Sequence, residues 1–157
     1  MRAVLQITEN ARLVCENDVI SRCGKGMCVL LGFCESDTEK ELDKILDRIL
    51  KMRIFADPDG KLNLSPLAVG ADILLVSNFT LYADVSSRRP GFSKAMKFGP
   101  AEALYKKALE RMQETADALC TPEDKGVHIY PGVFGGDMKI DLKLDGPVTI
   151  LLDTEDF

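Results

Sequence analysis

Hydrophobic positions fall into two periodicities along this chain, and they alternate in blocks. In the first third, RAVLQI, ARLVCE, VISRC and GMCVLLGF are short apolar or alternating pieces separated by Glu9-Asn10, Asn17-Asp18 and Gly24-Lys25-Gly26. Short strands joined by tight turns fit that pattern. SDTEKELDKILDRILKMR then places Leu42, Ile45, Leu46, Ile49 and Leu50 at helical spacing, with Ser36 and Glu39 set as a capping box ahead of them. RIFADPDGKLNLS predicts a short strand ending in an Asp-Pro-Asp-Gly turn, and ADILLVSNFTLYAD a long strand buried for most of its length. A second helix is expected from about Pro100, which suits a first helical position, through Leu104, Tyr105, Ala108, Leu109 and Met112 to Leu119. Alternation returns in MKIDLKL and VTILLD.

Strands, helix, strands, helix, strands is the order of an α+β domain rather than a doubly wound parallel sheet. Residues 1–157 read as one domain: there is no repeat, linker or low-complexity stretch, and the length suits a single core. Hydrophobic residues are 46% and charged residues 29% of the chain, which excludes a disordered segment. No apolar run approaches the ~18 residues of a membrane span, and MRAVLQITENARL lacks the continuous apolar stretch of a signal peptide. The expected setting is the cytosol, with no membrane partner.

Charge and cysteine usage narrow the chemistry. A net charge of -5 argues against an extended nucleic-acid footprint but leaves room for a local one. SSRRPGFSKAMK holds a basic cluster, Arg88, Arg89, Lys94 and Lys97, with Phe92 and Phe98 beside these charges; a solvated loop is the competing explanation. Cys15, Cys23, Cys28, Cys34 and Cys120 are irregularly spaced, and with one histidine they indicate neither a disulfide framework nor a zinc site. His128, the lone histidine, is a weak basis for a nucleophile-histidine pair. Carboxylates in ADPDG and at Asp137 and Asp141 are ordinary for acidic turns and strand edges. No metal or cofactor is called for.

Two stretches do not fit a plain scaffold. LLVSNFTLY inserts Ser77, Asn78 and Thr80 into an apolar run, where an unpaired hydroxyl or amide costs about 1–3 kcal/mol to bury. On strand alternation Ser77 and Phe79 face one way and Asn78 and Thr80 the other, so an amide and a hydroxyl converge on one ligand group; alternatively, the strand ends here and these groups cap a turn. In KLDGPVTILLDT, Asp145-Gly146 predicts a hairpin, yet Pro147 cannot donate to a strand ladder. Gly146 admits close backbone approach, and the residues before Pro147 present bare carbonyls.

Taken together, the residues resemble the D-aminoacyl-tRNA deacylases, also called D-tyrosyl-tRNA deacylases. The resemblance runs through MRAVLQ, KGMCVLLGF, RIFADPDGKLNLS, VSNFTLYAD, RPGFSKAM, PAEALY, GVFGGDMKI and DGPVTILLDT. VSNFTL and DGPVT match the family's Ser-Gln-Phe-Thr-Leu and Asn-x-Pro-x-Thr signatures. The resemblance implies a homodimer of barrel-like antiparallel and mixed sheets with two main helices outside. It implies a cis Gly146-Pro147 bond reaching into the partner's pocket, where backbone carbonyls exclude L-aminoacyl esters while D-aminoacyl and glycyl esters are hydrolysed. Ser77, Asn78 and Thr80 would act at the ester; Phe79, Phe134, Met138, Gly146, Pro147, Val148 and Thr149 would line the substrate site. Arg88, Arg89 and Lys94 would hold the acceptor end of the tRNA. Three positions depart from the family: Asn78 stands for Gln, Ile7 for Arg, and Leu144 for the Asn before Asp-Gly-Pro. They leave two alternatives, a deacylase acting on L-alanyl-tRNA or a non-catalytic dimer that binds the tRNA end.

Overall fold

A computed structural model describes all of residues 1–157. Its elements run β1 (Arg2–Cys15), β2 (Asp18–Cys23), β3 (Gly26–Gly32), α1 (Glu39–Lys51), β4 (Phe55–Ala56), β5 (Leu62–Leu64), α2 (Pro66–Val69), β6 (Asp72–Ser77), α3 (Phe98–Leu119), β7 (His128–Pro131) and β8 (Met138–Asp153). A turn of 3₁₀-helix, Phe79–Tyr82, follows β6.

Six strands form one mixed sheet in the order β2-β1-β3-β6-β7, with β8 on the free edge of β1. β1 pairs antiparallel with β2, β3 and β8, whereas β3-β6 and β6-β7 are parallel. Ser21 Oγ on β2 donates to the Pro131 carbonyl of β7 at 2.8 Å and draws the ends toward a barrel. Along β3 and β6 alternate residues serve two cores. Met27, Val29, Leu31, Ile73 and Leu75 join α1 and α3 in a cluster of 26 buried residues, while Cys28, Leu74 and Val76 face a cluster of six inside the barrel. Covering both faces is why these strands read as unbroken apolar runs.

The α1 stripe is as expected: Leu42, Ile45, Leu46, Ile49 and Leu50 are all buried. Its cap lies two residues later than the sequence suggested. Thr38 Oγ1 accepts from Lys40 N, and Thr38 N donates to Glu41 Oε2, because Cys34–Asp37 is committed to a tight turn in which Asp37 accepts from Cys34 N. Asp37 also takes the buried α-ammonium of Met1 at 2.7 Å. α3 starts at Phe98, two residues before Pro100, and buries Ala101, Leu104, Tyr105, Ala108, Met112 and Ala116.

Two expected turns are absent. Glu9-Asn10 does not break the chain; β1 continues through it, since Glu9 is an extra residue between the pairs Thr8↔Leu144 and Asn10↔Lys143. Nor does Asp145-Gly146 reverse the chain. β8 leaves the ladder after Leu144 and rejoins it at Thr149 opposite Gln6, so Asp145–Val148 stand against the single residue Ile7. The strand thus carries an outward corner in its middle.

Candidate active site

A cavity of about 880 Å³ opens where the C-terminal end of β6 meets the N-terminus of α3 and the loop between β7 and β8. Val76, Ser77, Asn78 and Phe79 form one wall; Phe92, Met96 and Phe98 a second; Phe134, Asp137 and Met138 a third. Size and apolar lining suit a ring system carrying a side chain.

β6 ends at Ser77, so the alternation argument for Asn78 and Thr80 does not hold. Asn78 is instead the N-cap of the 3₁₀ turn: its Oδ1 accepts from Thr80 N at 3.1 Å and from Thr80 Oγ1 at 2.5 Å. That is the turn-capping alternative, and it commits the amide oxygen locally rather than toward a ligand. Asn78 N donates to Leu31 O and Leu81 N to Asn78 O. The N–H of Phe79 has no protein acceptor, and the hydroxyl of Ser77, at the cavity wall, makes no hydrogen bond either. Two donors without a protein acceptor therefore belong to residues of the cavity wall, on adjacent elements.

Aromatic rings frame the space. Phe79 and Phe92 meet edge to face with centroids 5.0 Å apart, as do Phe98 and Phe134, and Phe134 lies 5.7 Å from Tyr105. Gly135 makes the Phe98 contact possible: its φ is +69°, and a Cβ there would lie 2.7 Å from the Phe98 ring. Tyr105 holds the wall from behind. Its buried hydroxyl donates to Leu75 O at 2.8 Å and accepts from Gly132 N at 3.0 Å, joining β6 to the loop that bears Phe134. Burial pushes this phenol up to about 12. Of the two acids on the cavity wall, Glu35 lies 4.0 Å from Lys97, and Asp137 has no ion-pair partner.

Five of the residues expected at the site therefore line this cavity: Ser77, Asn78, Phe79, Phe134 and Met138. Thr80 is joined to it only through Asn78. Gly146, Pro147, Val148 and Thr149 do not line the cavity of their own chain. The Gly146-Pro147 bond is cis, both residues are exposed, and Gly146 has φ +114° with Val148 folded so close that a Cβ would meet its Cγ2 at 2.8 Å. Arg88 and Arg89 stand exposed on the loop closed by the Asp84↔Gly91 bridge, and Lys94 lies 3.5 Å from Asp84. Sequence reasoning missed Tyr105 as a strut and Gly135 as the residue that lets Phe98 pack, because neither carries a mark that sets it apart from core or turn.

The family model described as D-Tyr-tRNA(Tyr) deacylase matches residues 4–153. The chain belongs to this family. The D-aminoacyl-tRNA deacylase of Clostridioides difficile (strain 630) is 39% identical over 155 residues, 98% of this chain and 97% of its own length. The protein of the same name from Clostridium botulinum (strain 657 / Type Ba4) is 41% identical over 155 residues, again 98% and 97%. Among solved structures, one titled c-Myc DNA Unwinding Element Binding Protein superposes with a TM-score of 0.86 at 38% identity, covering 98% of each chain. A probable eukaryotic D-amino acid tRNA deacylase gives 0.77 at 20% identity over 96% of this chain and 97% of its own, a likeness of fold. No helix of the chain is long and apolar enough to cross a membrane.

Proposed function

We propose that the chain hydrolyses the ester between a D-amino acid, or glycine, and the terminal ribose of tRNA, freeing both and sparing L-aminoacyl esters. The observation that carries this reading is the pair of unspent donors, Ser77 Oγ and Phe79 N–H, at the mouth of an apolar cavity in a chain of this family. An ester carbonyl set between them develops its negative charge where donors already point, the arrangement that stabilises acyl-transfer transition states.

The attacking group in this account is water, assisted by the ribose 2'-hydroxyl of the substrate. Thr80 is a poor nucleophile because its proton is directed at an amide oxygen, which is too weak a base to remove it. Asp137, the cavity acid without an ion pair, faces the α-ammonium that every aminoacyl ester carries. Arg88, Arg89 and Lys94 lie on the loop leading to Phe92 and would meet phosphates of the acceptor end.

Stereochemical selection is assigned to Gly146-Pro147 acting across a homodimer. The corner projects from β8 away from its own cavity, and Leu144 and Leu151 on the same strand are 44% and 77% exposed, an apolar surface that a second protomer would cover. A filter made of backbone is indifferent to side-chain identity, which suits an enzyme for many D-amino acids. Ile7 packs beneath the corner, 4% exposed in the main core with Val148 against it, so the excursion is held here by apolar contact.

The test is hydrolysis of D-tyrosyl-, glycyl-, L-tyrosyl- and L-alanyl-tRNA by the purified protein. Loss of the first two alone supports the reading. Selective loss of L-alanine points to the L-alanyl-tRNA deacylase, and no turnover points to a binding dimer.

A further inference from the structure

A second concavity, about 590 Å³, lies on the exposed side of α1 and is lined by four basic residues, Lys44, Arg48, Lys51 and Arg53, against one acid, Asp47. Lys44, Arg48 and Lys51 recur at helical spacing and form one stripe. Arg53 continues it past the helix end. Its floor is Phe157, with the Arg48 guanidinium 4.5 Å and the Lys44 ammonium 5.1 Å from the ring centroid. Lys51 is paired with Asp47 at 2.5 Å, whereas Lys44, Arg48 and Arg53 meet no carboxylate. Lys44 donates to Thr154 O at 3.0 Å and Arg53 to Asn63 O at 2.7 Å, contacts that orient the cations without neutralising them. Lys107 and Arg111 on neighbouring α3 are spent on Glu39 and Asp43. In a chain of net charge -5, three uncompensated cations in one groove, one of them 4.5 Å over an aromatic ring, form a site for a polyanion.

We propose that this groove binds backbone phosphates of the tRNA acceptor stem while the aminoacylated end occupies the large cavity. The inference rests on the substrate reading above. α1 begins four residues beyond Glu35, a residue of the cavity wall. At about 1.5 Å per residue, Lys44 to Lys51 lie roughly 8 to 18 Å along the axis from the start of that helix. A nucleic acid whose end enters the cavity must continue outward, and the stripe offers its duplex a charged path at that distance. The contact is to phosphates, so it carries no sequence preference.

Lys44→Gln/Arg48→Gln tests this, since both are uncompensated cations of α1, glutamine keeps helix propensity, and neither residue belongs to the large cavity. The readouts are binding of an uncharged acceptor-stem minihelix as a function of salt, and hydrolysis of D-tyrosyl-adenosine, which fills the cavity alone. Expected are about tenfold weaker minihelix binding at low salt, a slope of log K against log salt shallower by about 1 to 2, and unchanged D-tyrosyl-adenosine kinetics. Arg48→Lys should keep binding. Minihelix affinity and slope equal to wild type would overturn the proposal, as would a loss of D-tyrosyl-adenosine hydrolysis equal to the loss of minihelix binding. A wild type that binds the minihelix through the groove yet does not hydrolyse D-tyrosyl-adenosine would leave this proposal standing and refute the reaction.

Discussion

Thr80 Oγ1 donates to Asn78 Oδ1 at 2.5 Å, and the two side chains are thereby committed to one another at the lip of the cavity. The pair shapes the turn that carries Phe79, and the proposed reaction asks no nucleophile of it. Thr80→Ala is expected to lower kcat/KM only several-fold, through a looser turn. A loss on the order of 10⁴ or more, as when a covalent nucleophile is removed, would assign Thr80 that role.

Ser77 is a different case, because its hydroxyl is free and it belongs to the cavity wall. Ser77→Ala is expected to reduce kcat about tenfold, one hydrogen bond's worth of transition-state stabilisation, with little change in KM. Steady-state kinetics on D-tyrosyl-tRNA separate the two parameters.

At Gly135, alanine would meet both a left-handed backbone, φ +69°, and the Phe98 ring. Gly135→Ala should cost about 1–2 kcal/mol of stability from the backbone alone and raise KM by moving the Phe98–Phe134 pair. A thermal melt beside a KM measurement checks both effects.

Acid should loosen the junction of α1 and α3 through Glu39. Hydrogen bonds from Lys107 and Arg111 hold this carboxyl below its usual range, so it is charged at neutral pH and the folded state keeps it ionised more readily than the unfolded chain. Its contribution is present above the ordinary value of 4.5 and is lost as pH falls below that through the lower folded value. The gap in melting temperature between wild type and Glu39→Gln should therefore close on acidification, and high salt should shrink it as well.

How far the sequence revealed this molecule depended on the range of the interactions involved. The α1 stripe was legible because periodicity alone buries Leu42, Ile45, Leu46, Ile49 and Leu50. Its cap was displaced by Asp37, whose partners include the Met1 ammonium, a contact spanning 36 residues. β1 and β8 were each read as two strands because Glu9-Asn10 and Asp145-Gly146 look like turns; pairing with one another over nearly their whole length overrides that local preference. At the site, Ser77, Phe79, Phe134 and Met138 were found through motifs. The strut from Tyr105 and the cation stripe on α1 depend on which elements meet, and no short motif encodes that.

The central claim is chiral selection, and the most direct measurement is the ratio of kcat/KM for D-tyrosyl-tRNA to that for L-tyrosyl-tRNA, taken on wild type and Gly146→Ala in parallel. The account predicts a ratio of at least about 100 for wild type, some 3 kcal/mol of discrimination, and its collapse when the corner is distorted. A wild-type ratio near one, or one favouring the L-ester, would contradict it.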